Sequence, residues 1–209
     1  MNLILIIIFA MTLLYIAVAN RLFFYIKLLA LQGLVLFGMA YLELRSIDVY
    51  NLLFILLETL VVKAIVIPLF LVRIIKRNKI TREAEPYVSD FMSLVAVTLG
   101  IILGVVLAHR VSSDYSQTLF LAGSIAGIFA GIFIIVTRRK IITHIMGYMV
   151  LENGIFVLAL AAGSEMPMLV NAGILLDIFT SVLVLGVFAN KIGDVFRDIE
   201  IGKLAKLRD

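Results

Sequence analysis

The sequence contains no cysteine. That single absence removes disulfides, thiolate nucleophiles, iron–sulfur ligation and cysteine zinc sites from consideration. Histidine is almost missing as well: His109 and His144 are the only two, too few for a histidine-rich metal site. Charge is scarce, with Asp, Glu, Lys and Arg together making up 15% of the chain. Hydrocarbon takes their place. Of 209 residues 63% are hydrophobic and the mean hydropathy is +1.16, whereas a soluble domain holds about 45–50% apolar residues. This is the composition of a polytopic membrane protein.

Apolar runs bounded by charges define seven expected spans, at about 2–19, 22–43, 50–74, 89–108, 117–137, 141–163 and 168–190. The first run ends Ala17-Val18-Ala19, like a signal-peptide cleavage site, but no basic residue precedes it and Arg21 follows. It is therefore expected to remain as a membrane helix. The expected fold is an all-α integral membrane bundle of seven transmembrane helices, with no sheet and no soluble domain.

The net charge of +4 matters less than where the cations lie. Fifteen of the eighteen Lys and Arg residues fall on one side of this seven-span plan: Arg21 and the interfacial Lys27, and those in the stretches Arg73 to Arg82, Arg138 to Lys140 and Lys191 to Arg208. The opposite loops hold only Arg45 and Arg110, alongside Glu43, Asp48, Asp114 and Glu165. The positive-inside rule then places the N-terminus outside and the C-terminus in the cytoplasm. The polar tail 192–209 interleaves Val195, Phe196, Ile199, Leu204 and Leu207 with charges, as an amphipathic surface helix or a solvated tail would.

Against this apolar background four ionisable residues fall inside spans: Glu58, Lys63, Glu152 and Asp177. A charge at the bilayer centre costs roughly 2.5–3.5 kcal/mol on insertion scales, so each points to a proton or ion pathway or to helix-gluing pairs. His144 precedes Glu152 by eight residues, about 80° around a helix and roughly 12 Å towards the cytoplasm. It is a candidate entry point, or an interfacial histidine satisfied by water and headgroups. Lys63 follows Glu58 by five residues, about 140° apart on an α-helix, which makes an intrahelical pair unfavourable. Pro68 frees a carbonyl near Ala64 and is expected to kink the span just past Lys63. In the fifth span Gly123, Gly127 and Gly131 make a small-residue stripe suited to close helix packing.

An internal repeat is visible. Leu56-Leu57-Glu58 matches Leu175-Leu176-Asp177, and Leu31-Gln32-Gly33 aligns with Leu151-Glu152-Asn153-Gly154. Asp177 follows Glu58 by 119 residues and Glu152 follows Gln32 by 120. Two parallel three-helix units joined by one helix account for this. They are a first unit over 1–76, a cytoplasmic loop and linking helix over 77–110, a second unit over 111–191, and a tail over 192–209. The second unit carries two carboxylates, whereas the first has Gln32 in place of one and adds Lys63, whose counterpart is Val182.

The Arg138-Arg139-Lys140 loop followed by Gly147-Tyr148-Met149-Val150-Leu151-Glu152-Asn153-Gly154-Ile155-Phe156 resembles the small K subunit of NADH–quinone oxidoreductase. That subunit has three spans with one key glutamate in each of its second and third. Glu152 stands at the first position and Asp177 at the second, where Asp for Glu shortens the side chain. The seven-span length with a preceding three-span unit is similar to hydrogenase-4 component E of complex-I-like membrane-bound nickel–iron hydrogenases. The resemblance implies a non-catalytic membrane-arm subunit in a prokaryotic cell (inner) membrane, with Glu152 and Asp177 at the key positions; together with the residues singled out above, the expected proton or ion pathway is Glu152, Asp177, Glu58, Lys63 and His144. It implies no cofactor in this chain, with nickel–iron and iron–sulfur centres in partner subunits. Its partners would be other membrane subunits, antiporter-like ones included, and the lipid bilayer, not nucleic acid. Two alternatives stay open: a scaffold subunit of such a complex, and a subunit of a multisubunit cation/proton antiporter.

Overall fold

The computed structural model describes residues 1–44, 49–77 and 86–162. The expected span at 168–190, Asp177 within it and the tail 192–209 lie outside the described residues. The described chain is helical, and its β features are isolated bridge residues, among them the pair Pro86 and Arg138.

In chain order the helices are α1 (Asn2–Ala17), α2 (Leu22–Glu43) and α3 (Val49–Leu57). A π-helical segment (Glu58–Val66) continues α3, and α4 (Ile67–Arg77) continues the π segment. Then come α5 (Asp90–Val111), α6 (Tyr115–Thr137) and α7 (Ile141–Ala161). Five of these rods are long and apolar enough to cross a membrane: α2, the α3–π–α4 rod, α5, α6 and α7. With 16 residues, α1 spans about 24 Å, short of a hydrocarbon core about 30 Å thick. Apolar side chains cover the helices on the outside as well as the inside, as bilayer contact requires. These are the features of a multi-pass membrane protein.

Polar residues close the bundle at both ends. At one end Asn2 Nδ2 on α1 donates to Glu43 Oε2 on α2 at 3.0 Å, and Ser116 Oγ on α6 lies 3.5 Å from the same carboxylate oxygen. At the other end Asn20 Nδ2 donates to Asp90 Oδ2 at 2.8 Å, and Arg138 Nη2 donates to Ala17 O at 2.6 Å. So α1 and α6 run parallel, and α2 and α7 run back against them. Side-chain oxygens set two of the starts, with Ser89 accepting from Met92 N and Asp114 from Gln117 N.

The packing is tightest where α6 meets α7. A Cβ built on Gly131 would stand 2.5 Å from Leu151 N, and one on Gly154 would stand 2.6 Å from Ile128 N. Backbone touches backbone here, the use expected for the small-residue stripe. Around this pair α1 packs on α2 and α6, and α2 packs on α7 and on the π segment. The least covered helix is α5. It rests on α6 through Gly100 and Gly104 and turns Phe91, Leu99, Ile102 and Val106 outward.

Candidate functional site

The site begins with a change of helix type. Pro68 has no N–H to donate, and in an α-helix its ring would clash with the carbonyl four residues earlier. The chain responds by widening: residues 58–66 adopt i→i+5 bonding, closed by Ile67 N on Val62 O, and α geometry resumes at Ile67. Upstream the Thr59 hydroxyl bonds back to Ile55 O at 2.9 Å and to Leu56 O at 3.2 Å. Instead of a simple kink past Lys63, Pro68 is preceded by two turns of π-helix.

This corrects the geometry expected for Glu58 and Lys63. Five residues is the hydrogen-bond span of a π-helix, a little more than one of its turns, so the two positions lie on neighbouring parts of one face instead of diverging. Both are buried, Glu58 at 4% and Lys63 at 5% exposure. Lys63 Nζ lies 4.8 Å from the centre of the Phe156 ring on α7, a cation–π contact inside an apolar interior. Phe156 is one helical turn beyond Glu152, so Lys63 meets the face of α7 that carries this carboxylate. Glu152 is itself buried at 5% exposure.

Between these elements stands α2. Gly33 lets α2 press on the π segment; a Cβ there would sit 2.7 Å from Ala64 N and 2.9 Å from the Lys63 carbonyl carbon. The preceding side chain, Gln32, reaches two other helices. Its Oε1 accepts from Asn153 Nδ2 on α7 at 2.9 Å, and its Nε2 donates to Thr12 Oγ1 on α1, also at 2.9 Å. Thr12 in turn donates to Phe9 O at 2.6 Å. All three side chains are buried. The amide orientations follow from the chain itself: the single Thr12 proton is on Phe9 O, so Gln32 must present N–H to Thr12 and oxygen to Asn153.

The π segment and α7 thus meet α2 at Gln32 and Gly33, through the Lys63–Ala64 backbone on one side and Asn153, the neighbour of Glu152, on the other. His144 is not part of this junction. Its Nε2 lies 2.7 Å from Arg138 O, and since a carbonyl can only accept, Nε2 carries the proton. This histidine is tied to the α6–α7 turn at the Arg138 end of the bundle. Among the described residues no three His, Asp or Glu side chains gather as a metal site.

Three participants escaped the sequence reading. Asn153 and Thr12 were visible as polar residues in apolar runs, the composition expected of interhelical hydrogen bonds. Arg138 looked like one of three loop cations, yet it is 2% exposed. Its guanidinium stands 5.7 Å from the Tyr25 ring centre and caps the C-terminal carbonyl of α1, where the helix dipole favours a cation. No local signal distinguishes it from Arg139, which lies over Tyr87 at 4.5 Å.

Fold and site together define a multi-pass helical membrane protein with ionisable side chains buried between its helices. No family model and no solved structure matches the chain. It is similar to "Uncharacterized protein Rv0085" of Mycobacterium tuberculosis (strain ATCC 25618 / H37Rv), with 29% identity over 189 residues, covering 88% of this chain and 85% of that protein.

Proposed function

We propose that the chain is a non-catalytic membrane-arm subunit of a complex-I-like membrane-bound hydrogenase, and that its buried ionisable residues belong to a proton or ion pathway coupled to electron transfer. The observation that carries this reading is the burial of Glu58, Lys63 and Glu152 in the apolar interior, with Lys63 laid against the α7 face that bears Glu152. Groups in that setting exchange charge with one another more readily than with lipid, as relays in pumps do. The π turns favour it too, because such segments occur frequently at functional sites.

In this reading Asp177 completes the pathway from the seventh span. The N-terminus is outside, the C-terminus is cytoplasmic, and the membrane is a prokaryotic cell membrane. The pairings of α1 with α2, α6 with α7, α1 with α6 and α2 with α7 fit two parallel three-helix units side by side. Gln32 and Asn153, from the aligned stretches of the two units, meet in a hydrogen bond. Nickel–iron and iron–sulfur centres belong to partner subunits.

The test is composition. An affinity-tagged chain, extracted in mild detergent from its own membranes, should bring down a nickel–iron large subunit and antiporter-like subunits. Antiporter subunits without a hydrogenase would favour the cation/proton antiporter alternative. Recovery of the chain with neither would overturn the assignment.

A further inference from the structure

We propose that Gln32 and Asn153 are positioning residues for Glu152: with Thr12 they form a proton-inert brace that fixes this carboxylate against the π segment. The proposal rests on the reading of Glu152 as a pathway carboxylate.

Asn153 donates to Gln32, Gln32 to Thr12 and Thr12 to Phe9 O, so every link points from α7 towards α1. A relay needs groups that both take up and release a proton. Neither amide titrates, and the only Thr12 proton is committed to a backbone carbonyl. The chain therefore holds position and carries no charge.

What it positions follows from the backbone contacts. Gln32 fixes Asn153, the neighbour of Glu152, while Gly33 fixes the Lys63–Ala64 backbone. One pair of α2 residues thus sets the level of α7 against that of the π segment. From the other side Gly131 and Gly127 on α6 hold Leu151 and Gly154, the residues that flank Glu152 and Asn153. Glu152 is gripped on both sides through its neighbours.

Among the described residues, the helices around Glu152 carry few charges. The π segment contributes Glu58 and Lys63. Neither α1 nor α6 contains a charged residue, and α2 has Lys27 and Glu43 near its two ends. On α7 itself His144 is about 12 Å away along the axis. Among the described residues, a change at Gln32 that adds no charge reaches the Glu152 proton affinity by moving Glu152 relative to Glu58 and Lys63, or by rearranging Asn153.

The experiment uses the full chain in phosphatidylcholine–phosphatidylglycerol vesicles. Infrared titration follows the Glu152 carboxyl band, which the Glu152→Gln variant assigns by its loss. Gln32→Leu should shift the titration midpoint by at least half a pH unit, about threefold in proton affinity, with helix content retained. Thr12→Val keeps the side-chain shape and loosens only the far end, so it should shift the midpoint less, by about twofold. Should Gln32→Leu fail to fold, Thr12→Val carries the test. A midpoint unmoved in the folded variants overturns the brace while leaving Glu152 on the pathway. Wild-type pumping by a Glu152→Gln complex would remove the pathway reading yet leave the brace measurable in the isolated chain.

Discussion

The α6–α7 contact gives the most direct handle on the packing. Gly131 has Leu151 N within 2.5 Å of where a Cβ would stand, with Leu151 Cα at 2.6 Å. Both are backbone or backbone-linked atoms, so no rotamer change can clear them. Gly131→Ala must push α7 away from α6 along the stretch that carries Glu152. Overpacking a well-packed interface costs roughly 1–3 kcal/mol. Ala is favoured over Gly in a helix by up to about 1 kcal/mol, which offsets part of this. The expected net loss is about 1–2 kcal/mol, and at roughly 2–4 °C per kcal/mol for a chain of this size the melting midpoint should fall by several degrees. Gly38→Ala is the internal control. Its Cβ would meet only the flexible end of Leu5, at 3.4 Å, so the propensity gain should leave the midpoint unchanged or slightly raised. Circular dichroism melts of both variants in one detergent make the comparison. A Gly131→Ala protein as stable as Gly38→Ala would refute the backbone-on-backbone packing.

Three further outcomes are expected. Arg138→Leu removes the donor from Ala17 O at a buried helix end and should cost about 1–3 kcal/mol in the same melts, and an unchanged midpoint would contradict the cap. Pro68→Ala restores a backbone N–H and should shorten the π segment, seen as altered carbonyl shifts across Val62–Ile67 by solid-state NMR; shifts identical to wild type would separate the π turns from the proline. Because the chain lacks cysteine, single cysteines at Asn2 and Lys140 can be labelled from either side of intact cells. Outside labelling at position 2 and protection at 140 are expected, and the reverse pattern would invert the proposed topology.

The helices were legible from sequence because lipid imposes a simple rule: apolar runs about 20 residues long, punctuated by charge. The runs at 22–43, 117–137 and 141–163 closely match α2, α6 and α7. The burial of Glu58, Lys63 and Glu152 was legible for the same reason, since a charge inside such a run must face protein. Their mutual geometry was not. Counting at 100° per residue assumes an α-helix, and the π turns before Pro68 reset the count for the Glu58–Lys63 pair. Pro68 signalled a disturbance near Ala64, but sequence did not decide between a kink and a widened helix. Nor did it reveal which loop cation turns inward, because what distinguishes Arg138 from Arg139 is distant in the chain: the Tyr25 ring and the carbonyl of Ala17, the latter 121 residues away.

The measurement closest to the central claim is proton translocation per turnover in membrane vesicles carrying Glu152→Gln. The account predicts an assembled complex that turns over with its translocated-proton yield reduced about tenfold or more. An assembled Glu152→Gln, Asp177→Asn complex pumping with the wild-type yield would contradict it.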